Sequence, residues 1–316
     1  MKKTMNNVHL EGYVYDIDMK EAVTGERSKV PGTKYLRGTI QICTDEVGAN
    51  VCPVYISYAT PVTPAGRANE TYNILSKLMS GEYSTWMNGG KDNACRVRID
   101  TSIGVNDFYA TDGTLVSQVR NENGFLHIMT EDFNEDTNQR ASFQVDTVIT
   151  NVIEKEADPE REMPAHALIK GYTFNYNGSK IMPVDFMITK PDGIRFFLSI
   201  GASNAKPYFT KLSGHQTSRT AQIKVEEESA FGDPIVRFRS ISRKAYVVDS
   251  CLKQPYLWDD AETITAAEFK SKLADRDVEL AALKQSSDEY RKNRAAGGTA
   301  TATTTAAAST NALYDF

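Results

Sequence analysis

The chain has 316 residues, of which 41% are hydrophobic and 24% are charged, and its formal net charge is −5 at pH 7. This composition is typical of a soluble globular protein and excludes a mainly disordered one, and the length favours two domains that each bury a core. The negative net charge excludes electrostatic attachment to nucleic acid over the whole surface, but it is compatible with a local basic face.

The chain begins with a basic pair, Lys2 and Lys3, but no apolar stretch follows, so we expect no signal peptide. No later run is long enough to cross a bilayer, and we predict a cytoplasmic protein without membrane contact. The four cysteines and four histidines are scattered and form no C-x-x-C pair, which indicates reduced thiols, no metal site and no cofactor. The sequons at Asn69 and Asn177 are therefore interpreted as chance matches.

Alternation of apolar and polar side chains predicts β-strands over most of the chain. In residues 8–15, for example, Val8, Leu10 and Val14 share the face that we expect to be buried. The opposite faces of the first strands carry rings and guanidinium groups: Tyr13 and Tyr15 in residues 8–15, Tyr35 and Arg37 in residues 34–42, and Arg96 and Arg98 in residues 95–99. Further strands are predicted at residues 50–57, 124–129 and 141–153.

Two segments interrupt the strands. Apolar residues at helical spacing predict a helix over residues 70–79, which we expect to cap the first group of strands. The charged stretch 154–164 contains Pro159 and Pro164 and has no apolar period, which is typical of a linker.

A second group of strands repeats the pattern after this stretch. Its candidate base-stacking residues are Tyr172, Phe174, Phe197, Tyr208 and Phe209. Its candidate phosphate contacts are Lys170, Arg195, Lys206, Lys211, Arg219, Arg237 and Arg239. Because the rings lie closer to the positive charges here, we expect the second group to be the better equipped for binding.

Two interpretations of these faces compete. For any single residue the simpler one is preferred, because aromatic residues favour strands and arginine is a common solvent-exposed neighbour. Recurrence over both groups of strands favours the other, in which rings and guanidinium groups hold stacked bases and a phosphate chain. Trp86 and Trp258 are more typical of core or interface anchors and are not counted as base platforms.

The predicted fold class is mainly β. Gly12 and Gly171 occupy matching positions in L-E-G-Y and I-K-G-Y segments, and a glycine in a first strand often marks the bulge that a small barrel needs. We therefore predict two copies of one small β-barrel. The expected division is a first barrel with an inserted helix in residues 1–153, a linker in 154–164, a second barrel in 165–258, a C-terminal helix in 259–296 and a tail in 297–316.

The end of the chain has three parts. Thr265 and Glu268 form a capping-box pattern that predicts a helix to about Arg294. Its apolar stripe is expected to pack on a barrel; the alternative is a self-association seam that makes a homo-oligomer. The Thr/Ala tract in 295–311 lacks apolar bulk and is predicted to be disordered. The tip, Tyr314, Asp315 and Phe316, is either a peptide that binds partner proteins or an arbitrary end.

The chain resembles the single-stranded DNA-binding proteins that many phages encode. The resemblance rests on residues 7–12, on the aromatic and basic strand faces, and on a flexible tail that ends in Asp315 and Phe316, with residues 206–212 as a further match. It implies an oligonucleotide-binding (OB) fold of five-stranded barrels, binding of single-stranded DNA without sequence preference in replication, recombination and repair, and recruitment of partners by the tip. For a phage protein the site of action is the host cytoplasm. Two barrels in one chain and a single Asp in the tip depart from the bacterial pattern.

The sequence contains no G-x-x-x-x-G-K-[ST], H-E-x-x-H or G-x-S-x-G motif, and we predict that the protein is not an enzyme. Asp16 and Asp18 are interpreted as a solvated turn rather than a catalytic pair. Two rivals to DNA binding stay open. One is a virion or baseplate component built from similar barrels, and the other is an accessory factor that meets DNA only through a partner.

Overall fold

The computed structural model describes residues 4–26, 28–158, 163–175, 177–227, 235–258 and 263–295, with the backbone alone for 220–227, 235–242 and residue 295. Within these ranges the chain forms ten strands and four α-helices. None of the described helices combines the length and the hydropathy that a bilayer-spanning segment needs.

Five strands form the first barrel. They are β1 (Asn6–Val23), β2 (Lys34–Cys43), β3 (Val51–Ala59), β4 (Arg96–Tyr109) and β5 (Leu115–Ile128), with α1 (Glu70–Ser80) and α2 (Trp86–Gly89) between β3 and β4. The strands close on themselves in the order β1-β2-β3-β5-β4-β1. The β3–β5 pair is parallel and the others are antiparallel. The helix predicted at 70–79 is confirmed, because α1 packs Ile74, Leu75 and Leu78 into the core.

The second barrel repeats this topology. Its elements are β6 (Ala141–Lys155), β7 (His166–Phe174), β8 (Ile181–Ile188), α3 (Pro191–Ile200), β9 (Tyr208–Glu227) and β10 (Ile235–Cys251). They close in the order β6-β7-β8-β10-β9-β6, with a parallel β8–β10 pair and a helix between the third and fourth strands. Two closed five-stranded cycles confirm the predicted mainly β fold of OB-like barrels.

The boundary between the barrels differs from the predicted one. The strand expected at 141–153 as the end of the first barrel is β6, which opens the second. The stretch expected as a linker belongs in part to a hairpin, because β6 and β7 pair as far as Lys155 and His166; residues 159–162 lie outside the described ranges. Gly12 and Gly171 therefore lie in a first and a second strand, which are not equivalent positions.

A second correction concerns residues 194–198, expected as a strand with Arg195 and Phe197 on one face. They lie in α3, which starts with Pro191 at its first position and ends at Gly201 in the left-handed region, φ +61°. Proline at the start and glycine just past the end are the usual boundary signals of a helix. The short alternation of apolar and polar residues was a weaker signal than these boundaries.

The two barrels share one sheet and one main core. Residues Asn6–Leu10 of β1 pair with Ala141–Val145 of β6, which links the cycles into a ten-stranded sheet. Near Gly12 the edge of β1 passes from β6 to β2, and a Cβ atom on this glycine would lie 2.0 Å from the carbonyl oxygen of Cys43. The glycine is thus required by a close approach of backbones, whereas the irregularity in the β1–β2 register lies beyond it, between Val14 and Asp16.

The C-terminal helix α4 (Ala266–Ala295) packs on the second barrel at its N-terminal end, and Arg276 further along pairs with Asp107 of β4 in the first barrel at 2.9 Å. Its predicted capping box is confirmed: the amide of Thr265 donates to Glu268 Oε2 at 2.8 Å, and the amide of Glu268 donates to Thr265 Oγ1 at 3.2 Å. Phe269 and Ile264 form a second, smaller core with strand residues Phe174 and Phe209. The tail predicted at 297–316 lies outside the described ranges.

Candidate nucleic-acid interface

The outer surface of β2 and β3 in the first barrel carries exposed rings beside positive charges. Alternation along β2 buries Leu36, Ile40 and Ile42 and turns the residues between them outward. On β3 the same alternation buries Cys52, Val54 and Ile56, which leaves Tyr55 outward. The outward set is named the β2–β3 face and consists of Lys20, Tyr35, Arg37, Tyr55, Tyr58 and Arg120.

The rings of this face are available for stacking. Tyr35 and Tyr58 have ring centroids 4.7 Å apart at an interplanar angle of 44°, and Tyr58 is 51% exposed. Tyr55 lies opposite Thr39 of β2, and the guanidinium carbon of Arg120 sits 4.0 Å from the centroid of its ring. Exposed planes of this kind suit the faces of unpaired bases.

Two cations of the face have no anionic partner. Arg37 lies directly across from Lys20 in the β1–β2 pairing, and neither forms an ion pair with any residue that the structure describes. The Nε atom of Arg37 is buried without a hydrogen-bond acceptor. By contrast, Arg120 Nε donates to Glu122 at 2.6 Å. Like charges opposite each other destabilise a sheet, so an anion bound near Arg37 and Lys20 would relieve their repulsion.

A second group of rings, named the Tyr13 cluster, lies on another side of the first barrel. Tyr13 contacts Trp86 at 5.5 Å and Phe133 at 5.0 Å, and Tyr15 contacts Trp86 at 5.9 Å between ring centroids. The guanidinium groups of Arg96 and Arg140 lie 4.4 and 5.3 Å from the centroid of Phe133, and Lys91 lies over Tyr13. An open cavity of about 420 Å³ is lined by this cluster.

The charges of the Tyr13 cluster are already compensated. Glu46 pairs with Lys91 at 2.6 Å and with Arg140 at 2.8 Å, and these hydrogen bonds lower the pKa of the Glu46 carboxyl to about 2. Arg96 donates to the carbonyl oxygen of Glu131 at 2.5 Å. The rings also meet edge to face, which uses part of their surface. The cluster is therefore less suited to a phosphate chain than the β2–β3 face, although exposed Arg98 beside it forms no ion pair with a described residue.

Three of the rings predicted as base platforms in the second barrel, Phe174, Phe197 and Phe209, are buried in cores, and a fourth, Tyr172, is half-buried. Phe174 is 0% and Phe209 1% exposed, because α4 and the segment before it cover that side of the barrel. Tyr172 is half-buried against Phe269 of α4, with ring centroids 5.9 Å apart. Phe197 is buried on the inner side of α3. The prediction that the second barrel is the better equipped one is therefore wrong, since its rings are used for packing.

The remaining residues predicted in the second half lie apart from one another. Tyr208 is half-buried against the main core, and Lys211 is half-buried opposite Asp146. Lys170 pairs with Asp185 at 3.6 Å, and Arg195 pairs with Asp192 on the exposed side of α3. Lys206 before β9 and Arg219 on β9 are both exposed. Arg237 and Arg239 lie in β10 opposite Val225 and Ile223, where the backbone alone is described. The predicted tip residues, Tyr314, Asp315 and Phe316, lie outside the described ranges.

Sequence analysis missed several residues of the first barrel. Tyr55 lies in the predicted strand 50–57, where the same alternation could have found it. Tyr58 has the parity of the buried residues Cys52, Val54 and Ile56, and it turns outward where the β2–β3 register shifts, which alternation does not predict. Phe133 and Arg140 lie in the loop before β6, and Lys91 begins a short 3-10 helix (Lys91–Asn93), so no periodicity marks a face at these positions. Trp86 was interpreted as an anchor, and it does pack against both Tyr13 and Tyr15.

Comparisons with known proteins match one family model and a set of distant solved structures, among them two of one protein. The model of the family described as YorF matches residues 4–286. A deletion mutant of the single-stranded DNA binding protein from Thermus aquaticus is 12% identical with a TM-score of 0.42, over 83% of this chain and 99% of that one. The wild-type protein from the same organism is 12% identical with a TM-score of 0.41, over 81% and 95%. No curated protein matches in sequence. Similarity at these TM-scores is too low to transfer a property, so the barrel assignment rests on the strand pairings.

Proposed function

The chain belongs to the YorF family, and we propose that it binds single-stranded DNA without sequence preference through the β2–β3 face. One observation carries this proposal. The ring pair of half-buried Tyr35 and exposed Tyr58 lies on the same outer barrel surface as Arg37 and Lys20, whose charges no described carboxylate neutralises. In OB barrels the surface of the second and third strands is the one that receives oligonucleotides.

The binding mechanism follows from the chemistry of these side chains. Bases of an unpaired strand stack on the tyrosine rings, which contributes roughly 1–3 kcal/mol per well-placed base. Arg37 and Lys20 replace condensed counterions along the phosphates, so affinity falls as salt rises. Every base has a face that can stack, which makes the sequence preference slight. Duplex DNA hides those faces and binds poorly.

Substitution of one unpaired cation tests the proposal. Arg37→Gln keeps a polar side chain and removes its charge, and we expect it to lower the affinity for a labelled oligothymidine and to make the salt dependence shallower by about 0.7 in log–log slope. Arg195→Gln is the matched control, because Arg195 is exposed on α3 of the second barrel and pairs with Asp192. Equal affinities of wild type and the Arg37 variant at every salt concentration contradict the proposal.

We also propose a biological role from the resemblance that the sequence shows. The protein protects single strands in the host cytoplasm during phage DNA replication, recombination or repair, and the tip Tyr314–Phe316 recruits partner proteins. Tyr13, Tyr15, Arg96 and Arg98 add contacts for longer strands. Deletion of the last three residues tests the tip: capture of replication proteins should be lost while oligothymidine binding is kept. Retained capture would exclude the tip as the recruiting peptide.

A further inference from the structure

The hairpin of β9 and β10 extends from the second barrel onto the first. β6 pairs with β9 only as far as Ser142 and His215, whereas the β9–β10 pairing continues to Glu227 and Ile235. Beyond His215 the outer edge of β9 meets the loop before β3, where Asn50 forms a bridge with Arg219. A ribbon of the second barrel thus lies beside the start of a strand of the β2–β3 face.

Buried amide side chains hold the ribbon in this place. Asn50 accepts from the amide of Ser218 at 2.6 Å and donates to the carbonyl oxygen of Gln216 at 3.3 Å. Asn121 of β5 donates to Gln216 Oε1 at 2.8 Å and accepts from the hydroxyl of Tyr246 at 2.7 Å. Asn50, Asn121 and the oxygens of Gln216 are all paired, and only Gln216 Nε2 of this network is buried without an acceptor, so four hydrogen bonds fix the position of the ribbon on the first barrel.

Two arginines face each other on this ribbon. Arg219 of β9 lies directly across from Arg243 of β10. Since side chains alternate along a strand, both lie on the opposite side from Gln216 and Tyr246, which face the first barrel. Neither arginine pairs with a carboxylate in the part of the chain whose side chains are described, and Arg243 Nη2 is buried without an acceptor.

This arrangement is costly without an anion. Like charges directly opposite each other destabilise a ribbon, and a buried donor without a partner adds the cost of its desolvation. One phosphate between the guanidinium groups removes both costs, because arginine binds phosphate oxygens through paired hydrogen bonds.

We propose that Arg219 and Arg243 hold a phosphate group of the same single strand that stacks on Tyr35 and Tyr58, so that one strand crosses from the first barrel to the ribbon of the second. The inference rests on the proposed function. Asn50 directly precedes β3, and Tyr58 lies near the other end of that strand, at roughly 3.3 Å per residue or about 25 Å away. A short oligonucleotide on the ring pair therefore does not reach the arginines.

Oligothymidines of two lengths separate the two sites. We use one of about 4 nucleotides, the lower limit for a single OB fold, and one of about 30 nucleotides, enough for both barrels. Arg219→Gln and Arg243→Gln should each weaken binding of the long strand about ten-fold or more, as expected for lost hydrogen bonds to a charged group, and leave binding of the short one unchanged. Arg195→Gln serves as the control, and thermal unfolding verifies that each variant is folded.

The other outcomes distinguish a wrong crossing path from a wrong proposed function. Equal losses for both lengths, or an unchanged affinity for the long strand, overturn the crossing path while the proposed function stands. Failure of the wild type to bind either strand overturns the proposed function itself. Inorganic phosphate is the third arm: if it raises the Tm of the wild type but not of Arg243→Gln, while long-strand affinity is the same in both, the pair is a site for free phosphate and the inference is wrong.

Discussion

Whether an aromatic ring stacks on a base or packs in a core depends on what covers its strand. Tyr58 and Phe174 both lie on strands that alternate between apolar and outward residues, yet Tyr58 is 51% exposed and Phe174 is fully buried. The difference comes from α4, which contributes Phe269 to the side of the second barrel that Phe174 faces. Alternation along one strand assigns residues to two faces, but it does not show which face a distant helix will cover.

Tyr58→Ala tests the ring pair at this scale. The substitution removes one stacking plane, so the free energy of oligothymidine binding should weaken by about 1–3 kcal/mol. Titration monitored by fluorescence quenching measures the change. Tyr290→Ala is the control, because Tyr290 is 55% exposed on α4, where no stacking is proposed. Equal losses in both variants would remove Tyr58 from the interface.

His9 makes the stability of the first barrel depend on pH. Its Nδ1 lies 2.8 Å from Asp100 Oδ1, and this hydrogen bond, opposed by burial and supported by the charge of Asp100, raises the pKa of His9 above the usual 6.5. A raised pKa in the folded state means that the contribution is fully present below pH 6.5, while Asp100 stays ionised, and is lost as the pH rises through the folded-state value.

The substitution Asp100→Asn tests whether stability falls with rising pH because of the His9–Asp100 pair. Between about pH 6 and 9 the free energy of unfolding of the wild type, measured with urea, should fall more than that of the variant. A fall of the same size in both proteins would show that the His9–Asp100 pair does not contribute.

At the scale of elements, α4 is held by Phe269 at its N-terminal end and by the ion pair of Arg276 with Asp107 further along. Phe269 is buried among the aromatic residues of the second core, and the capping box of α4 lies directly before this residue. Phe269→Ala should therefore cost about 3–5 kcal/mol of unfolding free energy and should lower the hydrogen-exchange protection of α4. Val278→Ala on the same helix should stay within about 0.5 kcal/mol, because Val278 is 70% exposed. A comparable effect of both changes would contradict the docked position of the helix.

Gly12 tests the closure of the first barrel. A Cβ atom at this position would lie 2.0 Å from Cys43 O, where β1 begins to pair with β2, so Gly12→Ala should destabilise the protein by about 1–3 kcal/mol or more. Gly25→Ala is the matched control, since nothing lies within 4 Å of its Cβ position. Urea unfolding of the two variants gives the comparison, and equal stabilities would show that the backbone approach is not tight.

Helices and strands were predicted correctly from the sequence where residue spacing and helix caps were enough to identify them. The helix at 70–79, the capping box at Thr265 and the strands around Tyr13 and Tyr35 follow from spacing and caps. The residues 194–198 were assigned to the wrong structure, because five residues fit both a strand and the buried stripe of α3. The Tyr13 cluster needed Phe133 and Arg140, which come together only through the tertiary fold. Which barrel keeps its rings exposed is also set by long-range packing.

At the scale of the whole molecule, the two barrels are joined in one continuous β-sheet with one main hydrophobic core. β1 and β6 pair directly, one main core contains residues of both cycles, and the β9–β10 ribbon is fixed to Asn50 and Asn121. A strand of DNA that touches both barrels therefore meets groups held in a constant arrangement. Preorganisation of this kind lowers the entropic cost of binding.

Competition between single and double strands across a salt series separates strand-selective binding from general attraction to DNA. We expect the protein to bind a labelled oligothymidine tightly at low salt. We also expect log K to fall linearly with log salt by about 0.7 per neutralised phosphate, and unlabelled duplex of the same length to displace the strand poorly. Absence of binding at low salt, or displacement by duplex as effective as by single strand, would show that the protein is not selective for single-stranded DNA.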